Sequence, residues 1–140
     1  KKDMQKIRKT KVDFDGDGNL KEGIYDEIST LHKALLVAIQ SYSAKISGGN
    51  IAYGSHNYPY FFNDKNGNGK ADKPEAIYPN QFRKWTPRLL RAAYNYQYVA
   101  KDPGAYAHNP EYVIQLMHDS LADLSGKAGN DVSKLVRPKP

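Results

Sequence analysis

In the stretch LKEGIYDEISTLHKALLVAIQSYSAKI, apolar residues recur at Ile24, Ile28, Leu31, Leu35, Ile39, Tyr42 and Ile46, in steps of three and four. That spacing lines one face of an amphipathic helix of about seven turns. SGGN at 47–50 ends it, because paired glycines accept the left-handed backbone that a helix terminus favours. The pattern then changes. IAYGSHNYPYFF is short and aromatic, and Gly54 and Pro59 interrupt it, so it reads as extended chain or an edge strand. YPNQFRKW predicts a short helical turn. Thr86 and Pro87 then supply a capping hydroxyl followed by proline at the first helical position, starting PRLLRAAYNYQYVAK, which runs to about Lys101. DPG at 102–104 breaks that helix. Asn109, Pro110 and Glu111 repeat the start signal, the acid lying near the positive helix end. The helix they open has Val113, Leu116, Leu121 and Leu124 as core positions and is expected to close at Gly126.

Two polar interruptions carry the most chemistry. Calcium takes six to eight oxygens, and a twelve-residue loop supplies them from alternating positions with glycine at the sixth for the sharp turn. DKNGNGKADKPE, residues 64–75, meets each demand: side-chain oxygens from Asp64, Asn66 and Asn68, the carbonyl of Lys70, Asp72 directly or through water, and both oxygens of Glu75. A metal-free Asn/Gly turn would use the same residues. DFDGDGNLKEGI starts likewise, with Asp13, Asp15, Asp17, Gly18 and the carbonyl of Asn19, but its twelfth place is Ile24. The closing carboxylate must then come from elsewhere; Glu22 is the first candidate and Asp26 the second. Three aspartates within five residues repel one another without a counter-ion. The competing reading is an acidic helix N-terminus favoured by the dipole.

The expected architecture is therefore mainly α, with about three principal helices, two DxDxDG or EF-hand-like calcium loops, and an irregular aromatic extended segment between the first and second helices. Neither loop lies between two helices, which argues for structural calcium and against a sensor that opens a helix pair. The Asn-rich second loop, with fewer charged ligands, suits the higher calcium levels outside a cytosol. One domain is expected over residues 13–125, flanked by a basic N-terminal segment, 1–12, and a basic flexible tail, 126–140.

Charge refines this picture by exclusion. The net charge of +6 comes from the two ends; the residues between them are slightly acidic. Nucleic-acid binders place basic residues as a stripe on a folded face, so that class is set aside in favour of solvated ends or docking to an acidic partner. No apolar run is long enough for a transmembrane segment, and no apolar centre of a signal peptide follows KKDMQKIRKTK. With 0 cysteines there is no disulfide, no thiolate site and no Cys-x-x-Cys-His haem attachment within these residues.

Four histidines are present, with no His-x-x-x-His pair of the zinc-enzyme type, and nothing marks a serine nucleophile. His32 and His118 fall on helices, whereas His56 and His108 lie in loops ahead of a proline. Tyr94, Tyr96 and Tyr98 spread around one helix, so one shallow core cannot bury them all. Tyrosine left outside favours contact with another surface.

Three segments, DFDGDGNLKEGIYDEI, SHNYPYFFNDKNGNGKADKPEA and WTPRLLRAAYNYQYVAKDPGAYAHNPEYVIQLMHDSL, together resemble the C-terminal region of large multihaem c-type cytochromes, the polyhaem membrane-associated or surface type of metal-reducing bacteria. The resemblance runs from about Val12 to Leu124. AHNPEYV is also similar to the end of pentahaem nitrite reductases and related multihaem enzymes, where a His-Asn-Pro before a long helix supplies a distal haem ligand. That role lands on His108, and with less support on His56; the local alternative for His108 is a backbone bond near the Asn109 cap. The family's Cys-x-x-Cys-His motifs are absent here.

What the resemblance implies is a haem-free structural part or partner of an extracellular, cell-surface or periplasmic multihaem cytochrome. It would be no enzyme itself, supporting electron transfer by packing on haem-bearing polypeptide, with assembly into a larger complex or filament open to it. Its own cofactor would be calcium, two ions, with haem c reached only through a partner or another part of the chain. The alternative from a different class is an extracellular calcium-dependent carbohydrate-binding or adhesion module, its tyrosines stacking on glycans.

Overall fold

The computed structural model describes residues 2–8 and 10–139. Of the two basic ends, Lys1, Lys9 and Pro140 lie outside the described residues. The chain runs α1 (Lys2–Gln5), α2 (Ile24–Tyr42), β1 (Ile51–Tyr53), β2 (Phe61–Asn63), α3 (Pro87–Ala100), α4 (Ala105–His108) and α5 (Pro110–Ala128). A single wider turn, Ser43–Ser47, prolongs α2, and a short tight turn, Tyr78–Asn80, precedes α3. The long helices α2, α3 and α5 pack on one another in all three pairings.

The expected apolar stripe of α2 is the centre of the core: Leu31, Leu35, Ala38 and Ile39 are shut off from solvent. At the ends of the stripe the fit loosens, with Ile24 half-buried and Ile46 exposed. The prolonged helix stops at Gly48, which takes the left-handed conformation at φ +78° and donates its N–H to the Ser43 carbonyl. Thr86 caps α3 as its sequence indicates, its hydroxyl accepting from Leu89 N–H at 3.2 Å. From this helix Leu89, Ala92, Ala93, Tyr96 and Val99 enter the core. Tyr96 is buried while Tyr94 remains 71% exposed, which divides the three tyrosines between core and surface.

Helix α5 departs from the expectation at its start, where the Asn109 side chain makes no capping bond, and twice more along its length. Its buried face is Val113, Ile114, Met117, Leu121 and Leu124, with Leu116 only half-buried, because contact with both α2 and α3 widens and shifts the stripe. It also runs past Gly126 to Ala128 and stops at Gly129. Long-range bonds explain the extra turn: the Ala128 carbonyl accepts from Ser41 Oγ at 2.8 Å and Lys45 Nζ at 2.9 Å, both on the α2 rod. Beyond Gly129 the chain returns along the body. Val132 and Leu135 pack against the core, Val136 N–H donates to the Phe14 carbonyl, and Arg137 pairs with Asp119 at 2.8 Å.

The aromatic segment forms a two-stranded antiparallel sheet with Ile51 opposite Asn63, Ala52 opposite Phe62 and Tyr53 opposite Phe61. Because facing residues share a side, Ile51, Tyr53 and Phe61 join the helical core, while Ala52 and Phe62 look the other way, toward the 64–75 loop. The strands thus anchor that loop to the bundle.

Candidate functional site

The loop at 13–24 is folded by its own carboxylates. Asp13 accepts from Gly16 N–H at 2.8 Å and Gly18 N–H at 2.7 Å, Asp15 from Asp17 N–H at 3.1 Å, and Asp17 from Asn19 N–H at 2.7 Å. Gly18, at the sixth place, has φ +82°, a value that a side chain resists. Asn19 and Asp26 are exposed, and Asp26 joins none of the acidic clusters. Glu22 does join: Asp15, Asp17 and Glu22 each bring one oxygen within 4.8 Å of the others. A second triad, Asp13, Asp15 and Glu27, meets the same limit.

Glu27 is the residue that sequence reasoning missed. It stands three places beyond the end of a twelve-residue loop, yet its side chain is 0% exposed. The signal available was positional, since Glu27 falls four residues before Leu31 and eight before Leu35 on the apolar side of α2. Arg8 holds one of its oxygens, Nη1 to Oε1 at 2.9 Å, and also donates to the carbonyls of Thr10, Val12 and Glu22. The other oxygen, Oε2, is buried with no hydrogen-bond partner among the described residues, as are Asp15 Oδ2 and Glu22 Oε1. Burial, with Asp13 and Glu22 alongside, pushes the Asp15 carboxyl up to about 7, and burial raises Glu22 and Glu27 as well. Crowded, buried and partnerless oxygens are what a hard cation would satisfy.

In the loop at 64–75, Asp64 and Glu75 are buried, and each gives one oxygen to the loop's own backbone: Asp64 Oδ2 accepts from Gly69 N–H at 2.8 Å, and Glu75 Oε2 from Lys65 N–H. Their second oxygens, Asp64 Oδ1 and Glu75 Oε1, are buried without partners among the described residues. Gly69, again at the sixth place, has φ +77°. Asn66 and Asn68 lie on the exposed rim with Lys70, and both Asn amides donate to Asp72 Oδ2, at 2.8 and 2.7 Å. Those two bonds hold the Asp72 carboxyl below its ordinary value. Turning the Asn66 and Asn68 amides over would present oxygens instead of N–H groups, a change that a cation beside Asp64 and Glu75 would favour. Asn80 secures the exit, its amide donating to the Glu75 carbonyl at 2.9 Å and the Asn63 carbonyl at 3.0 Å.

The two candidate haem-ligand histidines join neither acidic cluster. His108 ends α4 with Nδ1 at 3.1 Å from the Gly104 carbonyl and Nε2 at 3.3 Å from Asp102, and its side chain is more than half exposed. His56 is exposed in the turn between β1 and β2. The structure does not bring them together with the acidic residues. His32, by contrast, is packed: its Nε2–H donates to the Tyr96 carbonyl at 2.9 Å and its ring stacks on the Tyr96 ring at 3.9 Å. Burial holds the His32 pKa below 6.5, against the pull of that carbonyl. As pH falls below about 6.5 the unfolded chain takes up a proton that the folded imidazole resists, so this contribution to stability is present above that pH and lost on acidification. Melts at pH 7.5 and 5.5 should show a larger loss for the wild type than for His32→Gln; equal losses would contradict it.

No family model matches the chain, and no solved structure matches it. Among characterised proteins it is similar to the C-type polyheme cytochrome OmcB of Geobacter sulfurreducens, in strains DL-1 / KN400 and ATCC 51573 / DSM 12127 / PCA, at 31% identity over 110 residues. The similarity covers 72% of this chain and 15% of OmcB. The C-type polyheme cytochrome OmcC of the latter strain matches equally, at 31% over 110 residues and 14% of its length. The chain therefore spans about one seventh of these relatives. With 0 cysteines it holds no thioether haem attachment of its own. No helix among the described residues is long and apolar enough to cross a membrane. Most of this chain is thus related in sequence to a segment of the polyhaem c-type cytochromes, and it carries no cysteine of its own.

Proposed function

We propose that this chain is a calcium-stabilised, haem-free part or partner of a multihaem c-type cytochrome, outside the cytosol, where it packs on haem-bearing polypeptide and performs no catalysis itself. The observation that carries the reading is the set of buried carboxylate oxygens without partners in two Asp-rich loops of a chain related to polyhaem cytochromes. In the first loop Asp13, Asp15, Asp17, the Asn19 carbonyl and Glu22 would hold one ion. In the second, Asp64, Asn66, Asn68, the Lys70 carbonyl, Asp72 and Glu75 would hold another. Each ion would stiffen a segment that lacks regular structure.

The contact surface on this reading is the side rich in exposed tyrosine, where Tyr58, Tyr78 and Tyr94 are each more than half exposed. A groove of about 490 Å³ between α2 and the 102–106 turn, lined by Tyr25, His32, Asp102 and Tyr106, adds relief next to His108. The Gly104 carbonyl can hold the His108 Nδ1 proton and leave Nε2 to an iron on a neighbouring polypeptide, the arrangement common to ligating imidazoles. Tyr58 and Tyr78, near-parallel at 14°, are the feature that favours the adhesion alternative.

Absorption spectra of native material test the main reading: a Soret band should travel with the chain through purification, and glycan binding without haem would favour adhesion. In the intact assembly, His108→Ala is expected to convert one haem from low to high spin, read by electron paramagnetic resonance. An unchanged spectrum would remove His108 as a ligand.

A further inference from the structure

The first loop lacks an acid at its twelfth place, and two glutamates each join an acidic triad that contains Asp15. They differ in setting. Glu22 lies in the turn between loop and helix and is half-exposed as a residue, although its Oε1 is buried without a partner among the described residues. Glu27 is fixed on the first turns of α2 and is closed to solvent. A wholly buried carboxylate with one unsatisfied oxygen is costly, and its Arg8 partner meets only half of the demand. The unsatisfied Asp15 Oδ2 belongs to a side chain that is itself 9% exposed.

Asp13, Asp15 and Glu27 keep their oxygens within 4.8 Å of one another. That is the greatest separation two ligands can have around one ion at about 2.4 Å from each. We propose that Glu27 closes the first loop as a direct ligand of a hard divalent cation, giving a site that joins the loop to α2 and, through Arg8, to the segment ahead of it. The proposal rests on the calcium reading above and replaces Glu22 in the closing role. Three additional residues between loop and ligand are taken up by the turn at 20–22. Arg8 acts as a positioning residue, orienting the carboxylate while bonding the Thr10 and Val12 carbonyls.

Isothermal titration of calcium into the wild type, Glu27→Gln, Glu22→Gln and Glu75→Gln separates the possibilities. Two binding events are expected for the wild type, one each for Glu27→Gln and Glu75→Gln, and two for Glu22→Gln with its first site weakened rather than lost. Retention of both events in Glu27→Gln, with loss of one in Glu22→Gln, would overturn the assignment. An absence of binding in the wild type would sink the calcium reading itself, and this assignment with it. Should Glu27→Gln fail to fold, Glu27→Asp in the Glu75→Gln background serves instead, with terbium as the probe. Its luminescence lifetime should report at least one additional inner-sphere water, and an unchanged water count would limit Glu27 to its bond with Arg8 and overturn the proposal.

Discussion

Stripping calcium with a chelator is expected to lower the melting temperature by roughly 10–20 °C and to open both Asp-rich loops to protease. At a calcium concentration about a hundred times the dissociation constant, each site contributes about 2.7 kcal/mol, so two sites contribute about 5 kcal/mol. For a domain of this size that converts to a shift of the stated order. The physical cause is local. Without a cation, Asp15 stands near Asp13, Glu22 and Glu27, and among the described residues only the Arg8 guanidinium supplies opposite charge by direct contact with Glu27. In the other loop, Asp64 and Glu75 each keep a buried oxygen without a partner. Limited proteolysis should then cut within 13–24 and 64–75 first. Since Phe14 reaches the core and its carbonyl receives Val136 N–H, loosening the first loop should also release residues 132–138.

Phe62→Ala is expected to cost about 3–5 kcal/mol, the range for a large buried aromatic, and to weaken calcium binding at the second loop as well. Phe62 is 0% exposed and lies outside the main helical cluster. Its ring lies near the 64–75 loop: a methyl group added at Gly54 would stand 3.1 Å from the ring and 3.2 Å from the Ala71 side chain. The residue also bridges to Gln81, just after the Tyr78–Asn80 turn that leaves the loop. Truncating the ring would leave a cavity where strand, loop and exit turn meet. Urea unfolding with calcium present reads the first effect, and titration of the folded variant reads the second. A loss below 1 kcal/mol with unchanged affinity would show that the loop does not depend on this contact.

Where a local device sets the structure, the sequence announces it. The Thr86 cap, the glycine stop at Gly48, the α2 stripe and the left-handed glycines at the sixth loop positions all follow from neighbours a few residues away. Features that depend on distant partners were not legible. Helix α5 passes Gly126 because Ala128 is bonded from α2, and the pairing of Ala52 with Phe62 is settled by what each sheet face covers. Glu27 belongs to the second kind. Loop spacing pointed to Glu22, whereas the helix carries Glu27 into the same cluster under the cover of Arg8, which a reading of charge alone leaves among solvated basic residues.

The decisive measurement is calcium bound in excess of the buffer after equilibrium dialysis against millimolar calcium, read by atomic emission. About two ions should be bound per folded chain, displaced together with the thermal stability they confer. A folded chain that binds none, and melts at the same temperature with and without a chelator, would contradict the calcium reading.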